Sequence, residues 1–347
     1  AENAARHHAR RAGVAHAAWP RQPLGGSPPP RAWAPGHLPV RLLRCRAGVA
    51  LPAELAMSCL RWCAEPYGDV IDKEELRGLL EVRSRGSPRL KARWSGYDVH
   101  RWPGVKLDPQ GVSVVELFLF QSHMQRLADG VGDLRQLSRL TLTENWIQEW
   151  PAALSCLQNL QWLAFNENRL EKVPPSIQFM KNLSHLDLSN NNLREVPREL
   201  GRLNSLTLLN LGHNRLHALP PELGNLHDLK YLELNGNMLE ELPAALRDLR
   251  SLRFLYVDNN KLVKVPDSIG VLAATLKELW LCHNMLTYLP AAFLKSNGIF
   301  LKLDGNPVAL PAETDAAKST SQQPVMFSDF NPADWNTTVD VAIVQGQ

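Results

Sequence analysis

The sequence predicts an α/β solenoid, a horseshoe of about nine units of 22–24 residues with a parallel sheet on its concave side and irregular, 3-10-rich segments on its convex side. Three observations predict it. A leucine pattern recurs at a fixed period, an asparagine stands in phase with the leucines, and a proline follows the asparagine at a constant distance. Self-similarity at such a period means stacked units, each too small to bury its own apolar face.

The run L-x-x-L-x-L-x-x-N-x-L begins at Leu137, Leu160, Leu183, Leu206, Leu229, Leu252 and Leu276, in five steps of 23 residues and one of 24. A weaker copy opens at Val114 with Ser122 in the Asn place, and a last one opens at Gly298 and ends in Asn306-Pro307-Val308, which makes nine units. The extra residue before Leu276 belongs in the return segment "GVLAAT", because an insertion inside a strand would turn every later side chain to the opposite face.

The asparagine column is Asn145, Asn168, Asn191, Asn214, Asn237, Asn260, Asn284 and Asn306. Where the chain leaves a strand by a tight turn, backbone N–H and C=O groups face the interior, and buried ones must be paired. An Asn side chain carries two donors and an acceptor, so it can bond the turns of its own and a neighbouring coil. Six residues after each of the first seven stand Pro151, Pro174, Pro197, Pro220, Pro243, Pro266 and Pro290. A fixed φ and a missing donor suit an extended or 3-10 return path, as in "PRELGRL".

This pattern resembles the leucine-rich-repeat family over residues 114–308, and the "LP" or "VP" after the Asn block resembles its Ras-group, plant intracellular type. The resemblance implies a non-enzymatic scaffold for protein–protein interaction, with a small GTPase, a phosphatase or a kinase complex as partner class.

Outside the repeats, residues 1–71 read as a disordered Ala/Arg/Pro-rich leader. Residues 1–50 hold eight arginines against one acid, Glu2, a net +7 in a chain whose total is +3, so the remainder is acidic. Residues 72–113 read as an N-terminal cap: Asp72 caps a helix with Leu76, Leu79 and Leu80 on one side, and Trp94 and Trp102 pack beneath the first repeat. Residues 309–347 form a tail or partial cap carrying Phe327, Phe330 and Trp335.

The cysteines, Cys45, Cys59, Cys63, Cys156 and Cys282, are odd in number and do not bracket the repeats, which fits a reducing, cytoplasmic setting; import into an organelle through the Arg-rich leader stays open. Cys59-x-x-x-Cys63 has no second ligand pair, so no metal is expected. No run of apolar residues is long enough for a membrane span. Neither a catalytic constellation nor a cofactor-binding loop accompanies the repeats; His185, His213 and His283 read as polar residues of solvated strands.

Strand alternation turns the residues beside the inward leucines toward the concave side. One column runs Glu116, Arg139, Trp162, His185, Leu208, Tyr231, Phe254, Glu278, Phe300, and a second runs Phe118, Thr141, Ala164, Asp187, Asn210, Glu233, Tyr256, Trp280, Lys302. A third includes Ser189, Gly212, Asn235, Asp258 and Cys282. The coil needs no apolar residue there, so Trp162, Leu208, Tyr231, Phe254, Tyr256 and Trp280 are candidate partner-binding anchors, with His185, Asp187, Glu233 and Asp258 among them. Trp150, just before Pro151, should be core. The alternative readings are a binder of nucleic acid or an anionic surface through the leader, or a recognition fragment of a larger receptor or enzyme. Acids on the concave columns disfavour nucleic acid there, since phosphate contact needs Lys or Arg.

Overall fold

The computed structural model describes residues 71–95, 98–296 and 298–308. The basic leader through residue 70, its cysteines, and the tail with Phe327, Phe330 and Trp335 lie outside the described residues.

Helix α1 (Lys73–Arg85) starts where Asp72 accepts hydrogen bonds from the backbone N–H of Glu74 and Glu75 at 2.9 and 3.1 Å. It is followed by α2 (Pro88–Arg93) and by β1 (Val105–Leu107). Nine strands then repeat at the leucine period: β2 (Val114–Phe118), β3 (Arg139–Thr141), β4 (Trp162–Ala164), β5 (His185–Asp187), β6 (Leu208–Asn210), β7 (Tyr231–Glu233), β8 (Phe254–Tyr256), β9 (Glu278–Trp280) and β10 (Phe300–Lys302). They form one sheet in sequence order. The pairing from β2 to β10 is parallel, whereas β1 joins β2 antiparallel, so the sheet is not parallel throughout. The antiparallel strand covers the edge of the first repeat, which would otherwise present unpaired backbone groups.

The returns are 3-10 segments of five residues, such as Pro175–Phe179, Arg198–Arg202 and Pro221–Asn225. The unit from Leu252 to Leu276 instead carries an eight-residue 3-10 segment, Asp267–Ala274. The extra residue is thus absorbed on the convex side, and Tyr256 still pairs with Trp280. The last return is a short helix, α3 (Ala291–Lys295).

The core is the leucine pattern itself: Leu137, Leu160, Leu183, Leu206, Leu229 and Leu252 are all fully buried. Trp94 and Trp102 are buried beneath the first repeat, stacked at 4.8 Å. Trp150 is half-buried and not wholly inside: it packs against the core, stacking on the buried Phe165 at 5.7 Å.

The asparagines bracket the turns. Asn191 donates through Nδ2 to Phe165 O, Leu188 O and Ser189 O at 3.0, 3.1 and 3.1 Å and accepts from Leu170 N at 2.9 Å, joining its own coil to the preceding one. Asn168, Asn214, Asn237, Asn260 and Asn284 repeat the set. Asn306, only partly buried, keeps the bonds to Leu286 N, Leu281 O and Leu303 O. At the other end Asn145 Oδ1 accepts from both Ser122 N and Met124 N.

A second column accompanies the asparagines, and neither periodicity nor residue type signals it. The residue just before the asparagine position has positive φ: Gln121, Glu144, Glu167, Asn190, His213, Gly236, Asn259, His283 and Gly305. His213 and His283 are therefore turn residues and not strand residues, and their imidazoles lie over Gly236 and Gly305, where a side chain would collide. A left-handed residue lets the chain turn sharply enough to aim the next side chain inward, at a cost for anything but Gly and Asn. Glu167→Val, with φ near 55°, is therefore expected to lower stability by about 1–2 kcal/mol and the melting temperature with it, while Glu167→Gly leaves both level or raises them. Thermal unfolding of the two variants checks the sign.

The cap hides another unexpected bracket. Glu75, on α1, is buried, and its Oε2 accepts the N–H of Val114, the first residue of β2, at 2.6 Å. Burial holds this carboxyl above its usual range, partly offset by that bond.

Candidate concave docking face

Parallel pairing without slippage brings the concave residues into straight rows. Trp162, His185, Leu208, Tyr231 and Phe254 are successive register partners, followed by Glu278 and Phe300. Ala164, Asp187, Asn210, Glu233, Tyr256, Trp280 and Lys302 form the adjacent row. Strands about 4.8 Å apart set neighbouring rings at stacking distance.

Trp162 stacks on His185 with centroids 4.5 Å apart, and Tyr231 on Phe254 at 4.5 Å with planes only 4° apart. Tyr256 and Trp280 meet at 4.6 Å, tilted by 50°. Arg139 covers the free face of Trp162 at 5.3 Å, and Lys302 that of Trp280 at 4.3 Å. Aromatic residues of the two adjacent rows thus run across the middle of the sheet, with Arg139 before Trp162 in the first row and Lys302 after Trp280 in the second.

Leu208 departs from the expectation. It lies in the row but is only 7% exposed, because His185 and Tyr231 rise on either side of the shorter leucine and shut solvent away. It supports the platform without being an anchor. The other five candidate anchors, Trp162, Tyr231, Phe254, Tyr256 and Trp280, are half-buried, with one side against neighbours and one toward the concave space.

The polar residues among them are shaped by this crowding. Burial, reinforced by Arg139, lowers the His185 pKa to about 4, so the imidazole is neutral at physiological pH. Asp187 accepts from the Ser189 N–H at 2.9 Å and hydroxyl at 2.7 Å; burial still raises its carboxyl. Glu233 is pushed up to about 8 by burial first, then by Asp187 and Asp258. The Tyr256 hydroxyl donates to Glu278 Oε2 at 3.0 Å, and burial beside that carboxylate holds the phenol protonated.

These shifts predict a pH dependence. A folded Glu233 near 8 against an ordinary 4.5 means that the native state holds the extra proton, so this contribution is complete below about pH 4.5 and is lost as pH rises through about 8. His185 acts oppositely, between about 4 and 6.5. Stability should therefore fall between about pH 6.5 and 8, and Glu233→Gln should flatten that limb by about 2 kcal/mol, the shift being discounted for the part of the carboxyl that meets solvent. Urea unfolding at several pH values measures it.

Among the described residues no group of three or more His, Cys, Asp or Glu side chains is placed to hold a metal ion, and no helix is long and apolar enough to cross a membrane. Cys156 and Cys282 are free thiols.

Two family models match the chain: "leucine-rich repeat region" over residues 197–295 and "leucine rich repeat" over residues 158–216. No curated protein matches. Among solved structures, the chain is similar to the leucine-rich-repeat ectodomain of the Arabidopsis thaliana membrane receptor kinase GASSHO1/SCHENGEN3, solved in complex with CASPARIAN STRIP INTEGRITY FACTOR 2, at 26% identity and a TM-score of 0.61 over 67% of this chain and 30% of that one. It is also similar to the ectodomain of the Arabidopsis receptor kinase HAESA, solved with an IDA peptide hormone, at 26% identity and a TM-score of 0.59 over 68% of this chain and 41% of that one. A plant ice-binding protein shares the fold at 19% identity and a TM-score of 0.54, over 72% of this chain and 92% of that one. The match thus spans well under half of each receptor ectodomain.

Proposed function

This chain is a leucine-rich-repeat protein, and we propose that it is a non-enzymatic interaction module that docks one partner protein on its concave face. One observation carries the reading: the aromatic pairs of the two rows, from Trp162 to Trp280, stand on the side of the sheet where the coil itself needs no apolar residue. Half-exposed rings held rigidly in stacked pairs are suited to anchor a partner at low entropic cost. That two similar ectodomains were solved with bound ligands, one of them a peptide hormone, supports a binding role for the repeat coil. Similarity to the Ras-group, plant intracellular type favours an intracellular signalling setting, with a small GTPase, phosphatase or kinase complex as partner. The free Cys156 and Cys282 are compatible with a reducing cytoplasm.

Capture of partners from the native cell by the wild type and by Tyr231→Ala/Phe254→Ala tests the reading, with Arg194→Ala, exposed after the Asn191 turn, as control. Loss with the double variant and retention with the control is the expected result. Recovery of the same partners by a folded double variant would exclude the concave face.

A further inference from the structure

We propose that the segment accepted by the concave face carries a lysine or arginine flanked by apolar residues, and that this cation seats at Glu233 between Asp258 and the rings of Tyr231 and Tyr256. The inference rests on the concave docking reading and adds the chemistry of the occupant. Glu233 and Tyr231 lie two residues apart on one face of β7; Tyr256 is the register partner of Glu233 on β8, and Asp258 follows it by two residues.

Charge complementarity points to the cation. Asp187, Glu233, Asp258 and Glu278 gather on the middle of the sheet, and among the described residues none of them forms a salt bridge. Three have other partners: Asp187 takes Ser189, Glu278 takes the Tyr256 hydroxyl, and Asp258 accepts from Asn259 Nδ2 at 2.6 Å. The Glu233 carboxyl has no hydrogen bond or ion pair among the described residues, although its backbone carbonyl accepts from the Leu211 N–H at 2.8 Å. The two cations of the rows sit at its ends, Arg139 four strands away and Lys302 three, or about 19 and 14 Å at ordinary strand spacing and beyond the screening length at physiological salt. The rise of the Glu233 pKa to about 8 agrees: burial is its first cause, and the charged groups that add to it are the carboxylates of Asp187 and Asp258.

The flanking rings define the rest. The negative faces of Tyr231 and Tyr256 favour a cation over them, and the flat Tyr231–Phe254 stack offers an apolar ledge beside it. A guanidinium or ammonium arriving there would ionise Glu233 and meet two carboxylates and two ring faces, while its apolar neighbours cover Phe254 and Trp280. A polyanionic partner would meet uncompensated carboxylates instead.

Selection of random linear peptides displayed on phage against the full-length protein tests this, followed by titration of the synthesised winners. The expected result is enrichment of peptides with Lys or Arg beside apolar residues, with affinity falling about tenfold or more when the basic residue becomes norleucine and similarly with Glu233→Gln/Asp258→Asn. The norleucine peptide removes the charge without touching the protein, so it decides the matter even if that variant folds poorly. Neutral or acidic winners that are lost with Tyr231→Ala/Phe254→Ala would overturn the cation inference and leave the docking face standing. No winners, or winners indifferent to every concave change, would overturn both.

Discussion

Replacing Tyr231 and Phe254 together with alanine is expected to weaken partner capture by about three orders of magnitude while leaving the coil folded. Truncating a central aromatic anchor costs about 2 kcal/mol or more, roughly thirtyfold in affinity, and the two rings form one stacked unit at 4.5 Å, so their joint loss removes the middle of the platform. The fold should survive because the residues next to them, Leu232 and Leu255, supply the core and are almost wholly buried. The rings cover neighbouring strands as well, so a small loss of stability is expected, of about 1 kcal/mol. Titration of the captured partner together with circular dichroism separates the two effects.

Asn191→Ala is expected to do the reverse, lowering stability and leaving the concave face unaltered. Three of the four backbone groups it binds have a second partner: Phe165 O retains Asn168 Nδ2, Leu188 O retains Asn214 Nδ2, and Ser189 O retains the Glu167 N–H. The Leu170 N–H bonds only Asn191 Oδ1 and would be left buried and unpaired. One such orphan costs about 1–3 kcal/mol, and the small cavity adds to it, so a net loss of about 2–3 kcal/mol follows. For a domain of this size that lowers melting by about 4–12 °C. An unchanged melting temperature would show that the ladder does not hold the coils together.

What the sequence makes legible is whatever a side chain repeats. The leucines, asparagines and prolines recur because each answers a demand made once per turn, and the concave rows follow because parallel strands in register admit one alignment; even the insertion before Leu276 could be placed by the same reasoning. Features set by backbone or by neighbours are not legible in this way. The left-handed column before each asparagine is filled by Gln, Glu, Asn, His and Gly, since the demand there concerns the sign of φ, which several residue types meet at some cost. Glu75 reads as an ordinary solvated helix residue until β2 brings the N–H of Val114 to it. Leu208 looks outward from alternation alone, and only the size of His185 and Tyr231 on either side shows that it is covered. The strand β1 is three residues long and antiparallel, too short to announce itself by periodicity.

Photo-crosslinking tests most directly whether the partner lies, as proposed, on the concave sheet and not on the convex returns. A photoreactive phenylalanine analogue at position 254 points into the concave space, whereas the same analogue at position 179, on the convex segment Pro175–Phe179 where Phe179 is 56% exposed, points away from it. Irradiation of the complex should link the partner through position 254 and not through position 179. Efficient crosslinking from position 179 with none from 254 would contradict the account.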